Sequence, residues 1–293
     1  MLYRKLYSFD YEEARDVPEA ISLLQTHGTE AAVMAGGIGL IEEMKRRAVT
    51  PKVVVSLQPI DQLKFLDVSD GNLRIGALSK LSHGEQSNVV KEGFPALWEA
   101  IAQISSAQVR NMGTIVGNIT ACNPGSDVAT ALVALDASVK IADGNGGKCI
   151  PIKSFGVHSR KNILKPGEIV TEIIVPCLAP GAQTAFLNLA RTKEDCAKVV
   201  VAVNARVTEG VIEDIKIALG AVAPTIVRAT TVETMLLGEK PSEGLIQAAS
   251  ERASQENMVT PISDIRSTSQ YRSQMVSVLT RRALTRVFQN HMN

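Results

Sequence analysis

The period of apolar positions changes several times along the chain. "PEAISLLQTHG" (18–28) keeps its apolar residues on one face and predicts a helix. Asp16 is placed to cap it, Pro18 falls in its first turn, and Glu19 completes a capping box. Gly28 is a good residue to end it. "EAAVMAGG" (30–37) predicts a short buried strand ending in glycine, and "LIEEMKRR" (40–47) a short helix closed by Pro51. "KVVVSL" (52–57) is an apolar strand. "LKFLDVSDGNLRIGAL" (63–78) predicts a hairpin turning at "SDGN". Two βα-type units therefore precede antiparallel pairing.

"FPALWEAIAQIS" (94–105) is helical in period, and "SDVATALVALDA" (126–137) predicts a buried helix capped by Ser126 or Asp127. Between them, "VRNMGTIVGNITACNPGSD" (109–127) is aperiodic and rich in Gly, Asn, Ser and Thr, which predicts a loop. "SVKIAD", "GNGG" and "KCIPI" predict a second hairpin, and "EIVTEIIVP" (168–176) a strong strand. After Pro176 the segments "AFLNLAR", "AKVVVAVNARVTEG" and "VIEDIKIALGAVA" predict an antiparallel sheet, followed by helical segments over 229–238, 242–255 and 268–290. Strands followed by helices predict a separate α+β unit. The expected boundary lies near residue 177.

Composition narrows the function classes. Among 293 residues the formal net charge is +1, so no global field draws the chain to nucleic acid or an anionic membrane. Aromatic residues make up 4%, too few for a base-stacking platform. The charged N-terminal stretch "MLYRKLYSFDYEEARD" has no signal-like apolar core, and no apolar run reaches membrane-spanning length. A cytoplasmic protein is expected. Cys122, Cys149, Cys177 and Cys196 form no CxxC or CxH pattern, so neither zinc nor an iron–sulfur cluster is expected in this chain. His27, His83, His158 and His291 are scattered, and His83 is the one placed near the candidate site. No spacing suggests a Ser–His–Asp or Cys–His nucleophile.

Two glycine segments carry candidate chemistry. Gly36, Gly37 and Gly39 stand between a predicted strand and helix. The Rossmann G-x-G-x-x-G pattern fails, because counting from Gly37 its last position is Glu42; a P-loop Gly-Lys-Ser/Thr is absent. Alone, this stretch predicts a turn. Gly113, Gly117 and Gly125 lie among hydroxyls and amides in a second segment. Glycines let a backbone approach a ligand closely, and consecutive N–H groups with a helix N-terminus attract anions. Paired, the two segments could hold a pyrophosphate by backbone donors, with Arg110 at the edge. Thr114, Asn118, Thr120, Ser126 and Asp127 are candidate partners for ribityl or ribose hydroxyls, although Asp127 is equally a helix cap.

"AGGIGLIEEMK", "QVRNMGTIVGN", "SDVATALVALDA", "RTKEDCAKV" and "PISDIRSTSQYR", in this order, resemble the FAD-binding medium subunit of the xanthine dehydrogenase and carbon monoxide dehydrogenase family of molybdenum hydroxylases. The resemblance runs from about residue 5 to 288. It implies an α+β chain: a vanillyl-alcohol-oxidase (PCMH)-type FAD-binding domain over 1–176, in subdomains of about 1–57 and 58–176. A small antiparallel-sheet-plus-helices domain follows over 177–293. It implies non-covalent FAD between them and an oxidoreductase subunit. A large partner carries molybdopterin and oxidises the substrate; a small partner carries two 2Fe–2S clusters and relays electrons. The flavin passes them on, commonly to NAD⁺.

The resemblance also implies site residues. The first pyrophosphate loop is Val33, Met34, Ala35, Gly36, Gly37, Ile38, Gly39 and Leu40; the second is Thr114, Ile115, Val116, Gly117 and Asn118. Asp127 matches an acidic residue that hydrogen-bonds FAD hydroxyls. Ile104 matches an apolar contact, Ile169 or Val170 a strand bordering the flavin ring, and Lys198 a lysine at the flavin's polar edge. Departures sharpen this. Val116 replaces the first glycine of the usual T-I-G-G-N, so an ordinary backbone conformation is expected there. Ile38 and Gly39 bring no side-chain donor, so that loop binds through main chain alone. No histidine occupies either loop, so a histidyl–FAD link is not expected, and the cluster-bearing cysteine insertion of hydroxybenzoyl-CoA reductases is missing. A stand-alone FAD-dependent reductase and a non-enzymatic flavin-binding assembly protein are the competing functions.

Overall fold

A computed structural model describes residues 4–292. Three short strands, β1 (Asp10–Glu13), β2 (Ala31–Met34) and β3 (Val53–Ser56), form a parallel sheet in the order β1-β3-β2. Helix α1 (Val17–His27) joins β1 to β2, and α2 (Ile38–Arg46) joins β2 to β3. The α1 signals act as expected: Asp16 accepts from the Glu19 N–H at 2.8 Å, and Gly28 ends the helix at φ 53°. The capping box is offset by one residue, since Glu19 accepts from the Arg15 N–H at 2.7 Å. Strand β1 carries no apolar alternation and was not predicted; its order comes from pairing with the buried strand β3. Of the N-terminal aromatic residues, Tyr3 lies outside the described residues, while Tyr7 and Tyr11 are exposed.

The second layer is an antiparallel sheet. Strands β4 (Leu66–Ser69) and β5 (Asn72–Gly76) form the expected hairpin, with Asp70 and Gly71 both at positive φ in its turn. Four helices follow: α3 (Leu81–Gln86), α4 (Asn88–Gly93), α5 (Pro95–Gln103) and α6 (Ala107–Met112). Then come α7 (Ile115–Thr120) and α8 (Asp127–Ala134), and strands β6 (Ser138–Ala142) and β7 (Lys148–Pro151). A small ribbon, β8 (Gly156–His158) with β9 (Lys161–Asn162), precedes β10 (Ile169–Pro176). Sheet order is β4-β5-β10-β6-β7, so β10 is central. The expectation of a continuous loop over 109–127 is corrected: α6 and α7 occupy much of it. Each is a short helix whose order comes from a side-chain cap (Ser106, Thr114) and from buried Arg110, Ile115, Val116 and Ile119, not from a visible period.

The last part is the four-stranded antiparallel sheet β11 (Gln183–Leu189), β12 (Val199–Thr208), β13 (Val211–Gly220) and β14 (Val227–Arg228). Helices α9 (Thr230–Leu236), α10 (Glu243–Ala253) and α11 (Ser269–Phe288) cover one face. Val199, Val201 and Val203 pack there, while Val200 and Ala202 join the first hydrophobic core through the opposite face. Covering both faces explains why "VVVAV" is apolar at every position. The junction is close-packed: a Cβ at Gly220 would lie 2.3 Å from Thr130 Oγ1 on α8. Among the described residues no helix is long and apolar enough to cross a membrane.

Candidate functional site: two apposed glycine turns

Strand β2 ends at Met34, and the chain turns through Gly36 and Gly37 into α2. Gly37 is the N-cap residue at φ 76°, a left-handed conformation that glycine adopts without a Cβ penalty. No side chain caps α2. Its backbone ladder begins with the Ile41 N–H on the Gly37 carbonyl at 2.9 Å. The N–H groups of Ile38, Gly39 and Leu40 thus open the helix with no acceptor among the described residues. A Cβ at Gly39 would meet nothing within 4 Å, so this end of the helix is open. The arrangement fits an anionic group held by main-chain donors. Ile38 is exposed, and Val33 and Met34 belong to the strand before the turn.

Gly36 faces the second segment. An ideal Cβ there would lie 2.0 Å from the Met112 carbonyl oxygen and 3.0 Å from the Gly113 Cα. Only hydrogen fits, so the two glycine segments touch through their backbones. The second segment is clasped in turn: Leu81 N–H donates to Gly113 O at 2.9 Å and Ile115 N–H to Ser79 O at 3.0 Å.

Several second-segment donors are already engaged. Gly117 N–H donates to Thr114 Oγ1 at 2.9 Å, and Asn118 N–H to Thr114 O at 3.0 Å. The segment forms a capped helix turn, and the Val116 N–H is the one from 115 to 118 without an acceptor among the described residues. The Val116 backbone has negative φ, as expected. The side chains of Ile115 and Val116 are buried in the core. Thr114 and Ser126 are buried as caps of α7 and α8, which assigns the α8 cap to Ser126 and not to Asp127. Ser126 Oγ also donates to Asn118 Oδ1 at 2.5 Å.

Asp127 opens α8 and is half-buried. Its Oδ1 accepts from Asn188 Nδ2 at 2.8 Å, a bond that crosses from α8 to β11. Burial pushes its carboxyl up to about 7, against the opposing pull of Asn188. Lys198 stands just before β12. The residue is half-buried, its N–H donates to Leu189 O at 2.7 Å, and its ammonium has no partner among the described residues. Ile104 ends α5, half-buried against the core. Ile169 is buried at the start of β10, with Val170 beside it, so neither side chain is on the surface. His83 is exposed within α3.

Three anchors of the site have no signature in the sequence. Arg110, placed only at the edge, is buried: it donates to Glu85 Oε2 at 2.7 Å and to the carbonyls of Ile104 and Ser105 at 2.8 and 2.9 Å. Asn188 and Arg272 leave no mark in the sequence, since an isolated Asn in a strand and an Arg in a helix carry no spacing signal. Cys122, at φ 45°, lines a crevice with Asn123, Phe155, His158 and Thr225; burial pushes its thiol up to about 11, so it is neutral.

Comparison with known proteins gives a consistent assignment. Residues 7–178 match the FAD binding domain in molybdopterin dehydrogenase, and residues 184–287 the CO dehydrogenase flavoprotein C-terminal domain. The chain is 32% identical over 279 residues to the glyceraldehyde dehydrogenase medium chain of Sulfolobus acidocaldarius, covering 95% of this chain and 98% of that one. It is also 32% identical to the carbon monoxide dehydrogenase medium chain of Hydrogenophaga pseudoflava, covering 94% and 96%. The solved structure of that organism's carbon monoxide dehydrogenase, lacking the Mo-pyranopterin moiety of its molybdenum cofactor, superposes with a TM-score of 0.94 at 31% identity over 99% of this chain and 100% of that one. Two apposed glycine turns, an acidic residue at the domain junction and these matches agree: the chain belongs to the FAD-binding medium subunits of the carbon monoxide dehydrogenase and xanthine dehydrogenase family of molybdenum hydroxylases.

Proposed function

We propose that this subunit takes electrons from 2Fe–2S clusters of a small partner subunit and delivers them through FAD to NAD⁺, in the cytoplasm. The substrate is oxidised on a large molybdopterin-bearing partner. The observation that carries the cofactor site is the contact of Gly36 with the Met112–Gly113 backbone, which brings the open N-terminus of α2 beside the second glycine segment. FAD, when bound, supplies reversible electron transfer; the chain supplies its placement. The N–H groups of Ile38, Gly39 and Leu40 hold the pyrophosphate, with Val33 to Gly37 shaping the approach. Thr114 to Asn118 close the other side. Asp127 receives a ligand hydroxyl, Ile104 and the strand at Ile169 bound the cofactor, and Lys198 places a cation at its polar edge. This divides the chain at about 176, with FAD between 1–176 and 177–293.

Purification from the native host tests this. The expected product is a three-subunit complex containing molybdenum, iron and FAD that reduces NAD⁺ or is reduced by NADH. A flavin-bearing chain isolated without partners would favour a stand-alone reductase. A colourless chain after gentle isolation would overturn the flavin site. Within the complex, Gly37→Val and Gly117→Val are each expected to lose FAD while the chain stays folded by circular dichroism.

A further inference from the structure

The segment "PISDIRSTSQYR" (261–272) ends at Arg272, in the first turns of α11. Arg272 is 3% exposed. Its Nη1 donates to the Lys198 carbonyl at 2.6 Å and to the Ala221 carbonyl at 3.3 Å; its Nη2 donates to Asp264 Oδ1 at 2.9 Å. Its Nε is buried with no partner among the described residues. A buried guanidinium with one donor unmet is costly, and its planar fork is hard to replace by an ammonium. Asp264 is itself fixed by N–H groups of Arg266 and Ser267 at 2.9 and 3.1 Å, so the fork has a rigid anchor.

Both carbonyls belong to segments at the domain junction. Lys198 follows Ala197, whose carbonyl borders Gly125. Ala221, at φ 62°, donates its N–H to the Pro124 carbonyl at 2.7 Å. Pro124 and Gly125 lead directly to Ser126 and Asp127. One side chain therefore ties the backbone of Lys198 to the turn that delivers Asp127. The Lys198 ammonium, lacking an anionic partner among the described residues, suits a ligand that becomes anionic.

We propose that Arg272 is a positioning residue that sets the reduction potential of the bound flavin through Lys198, by fixing the Lys198 and Ala221 carbonyls on one side of the cofactor cleft. Asp264 is the anchor that orients it. This rests on the proposed place of Lys198 beside the flavin.

The test measures the FAD midpoint potential by dye equilibration in the intact complex, with flavin content and thermal stability recorded alongside. Lys198→Met is expected to lower the potential by the equivalent of about tenfold in relative binding of reduced and oxidised flavin, roughly 30 mV for two electrons. Arg272→Lys, which keeps the charge but not the fork, is expected to lower it by the equivalent of at least about threefold in the same ratio, roughly 14 mV. The double variant should show no further shift beyond Lys198→Met, because Arg272 acts through Lys198. A parental potential in Arg272→Lys, with a lowered one in Lys198→Met, overturns the role of Arg272. A parental potential in Lys198→Met removes the placement of Lys198 and this inference with it. If Arg272→Lys does not retain flavin, Asp264→Asn decides, since it keeps the guanidinium and removes the anchor; a parental potential there also overturns the proposal.

Discussion

Asp127 shows how one residue joins stability to binding. Its carboxyl sits at about 7 in the folded chain against an ordinary 3.8, because burial penalises the anion more than the Asn188 bond relieves it. The folded state thus holds its proton more tightly than the unfolded state between about pH 4 and 7. Stability from this group is present below pH 4 and is lost as pH rises to 7. Asp127→Asn removes the titration while retaining an oxygen for Asn188. Melting temperature of the flavin-free chain is expected to rise by a few degrees at pH 8 and to change little at pH 4. Equal shifts at both values would contradict the assignment. A donor hydroxyl from the ligand would relieve the buried anion, so the same variant should bind FAD roughly tenfold more weakly.

At the scale of elements, the two glycine turns are one unit because Gly36 permits backbone-to-backbone contact. Gly36→Ala places a carbon 2.0 Å from the Met112 oxygen and forces the elements apart. The expected cost is about 1–3 kcal/mol by denaturant unfolding, together with loss of flavin. Gly39→Ala makes the contrast. Its Cβ meets nothing in the protein, and alanine favours the helix by roughly 0.5–1 kcal/mol. The flavin-free chain should become slightly more stable, while FAD titration shows weaker binding, because the new methyl occupies the open end of α2. Unchanged affinity would move the ligand away from that helix. Short helices α6 and α7 belong to this scale too. Ser106 and Thr114 cap them, and their residues are dictated by contacts with the α3 segment and Gly36 more than by any helical period.

At the scale of the molecule, the C-terminal sheet serves two cores at once. Val200, Ala202 and Ala218 pack toward the first part, while Val201, Ile217 and Leu219 pack under α9–α11. Gly220 marks the closest approach, with Thr130 Oγ1 2.3 Å and Val200 Cβ 3.2 Å from a would-be Cβ. Gly220→Val is expected to loosen the junction by about 2–3 kcal/mol. Calorimetry should then resolve two unfolding steps, against one expected for the parent. A single transition at the parental temperature would show that the two parts are not coupled there.

The amino-acid sequence determined the elements whose cause is local. Asp16, Pro18 and Gly28 bound α1, the Asp70–Gly71 turn set the β4–β5 hairpin, and alternation and helical period marked the C-terminal sheet and its helices. Ordered motifs along the chain were enough to point to the flavoprotein family, because the spacing of glycines, Asp127 and Lys198 is written in one dimension. Tertiary structure alone decided what those motifs touch. Short strand β1 is ordered by its neighbour, and the second glycine segment becomes a capped helix that has already used most of its donors. Arg110, Asn188 and Arg272 reach across 25, 61 and 74 positions to partners. For such contacts the energy depends on distance in space and on burial. Residue spacing records neither, so the anchors of the site emerge only in the folded chain, where Asn188 alone of the three bonds across the two parts.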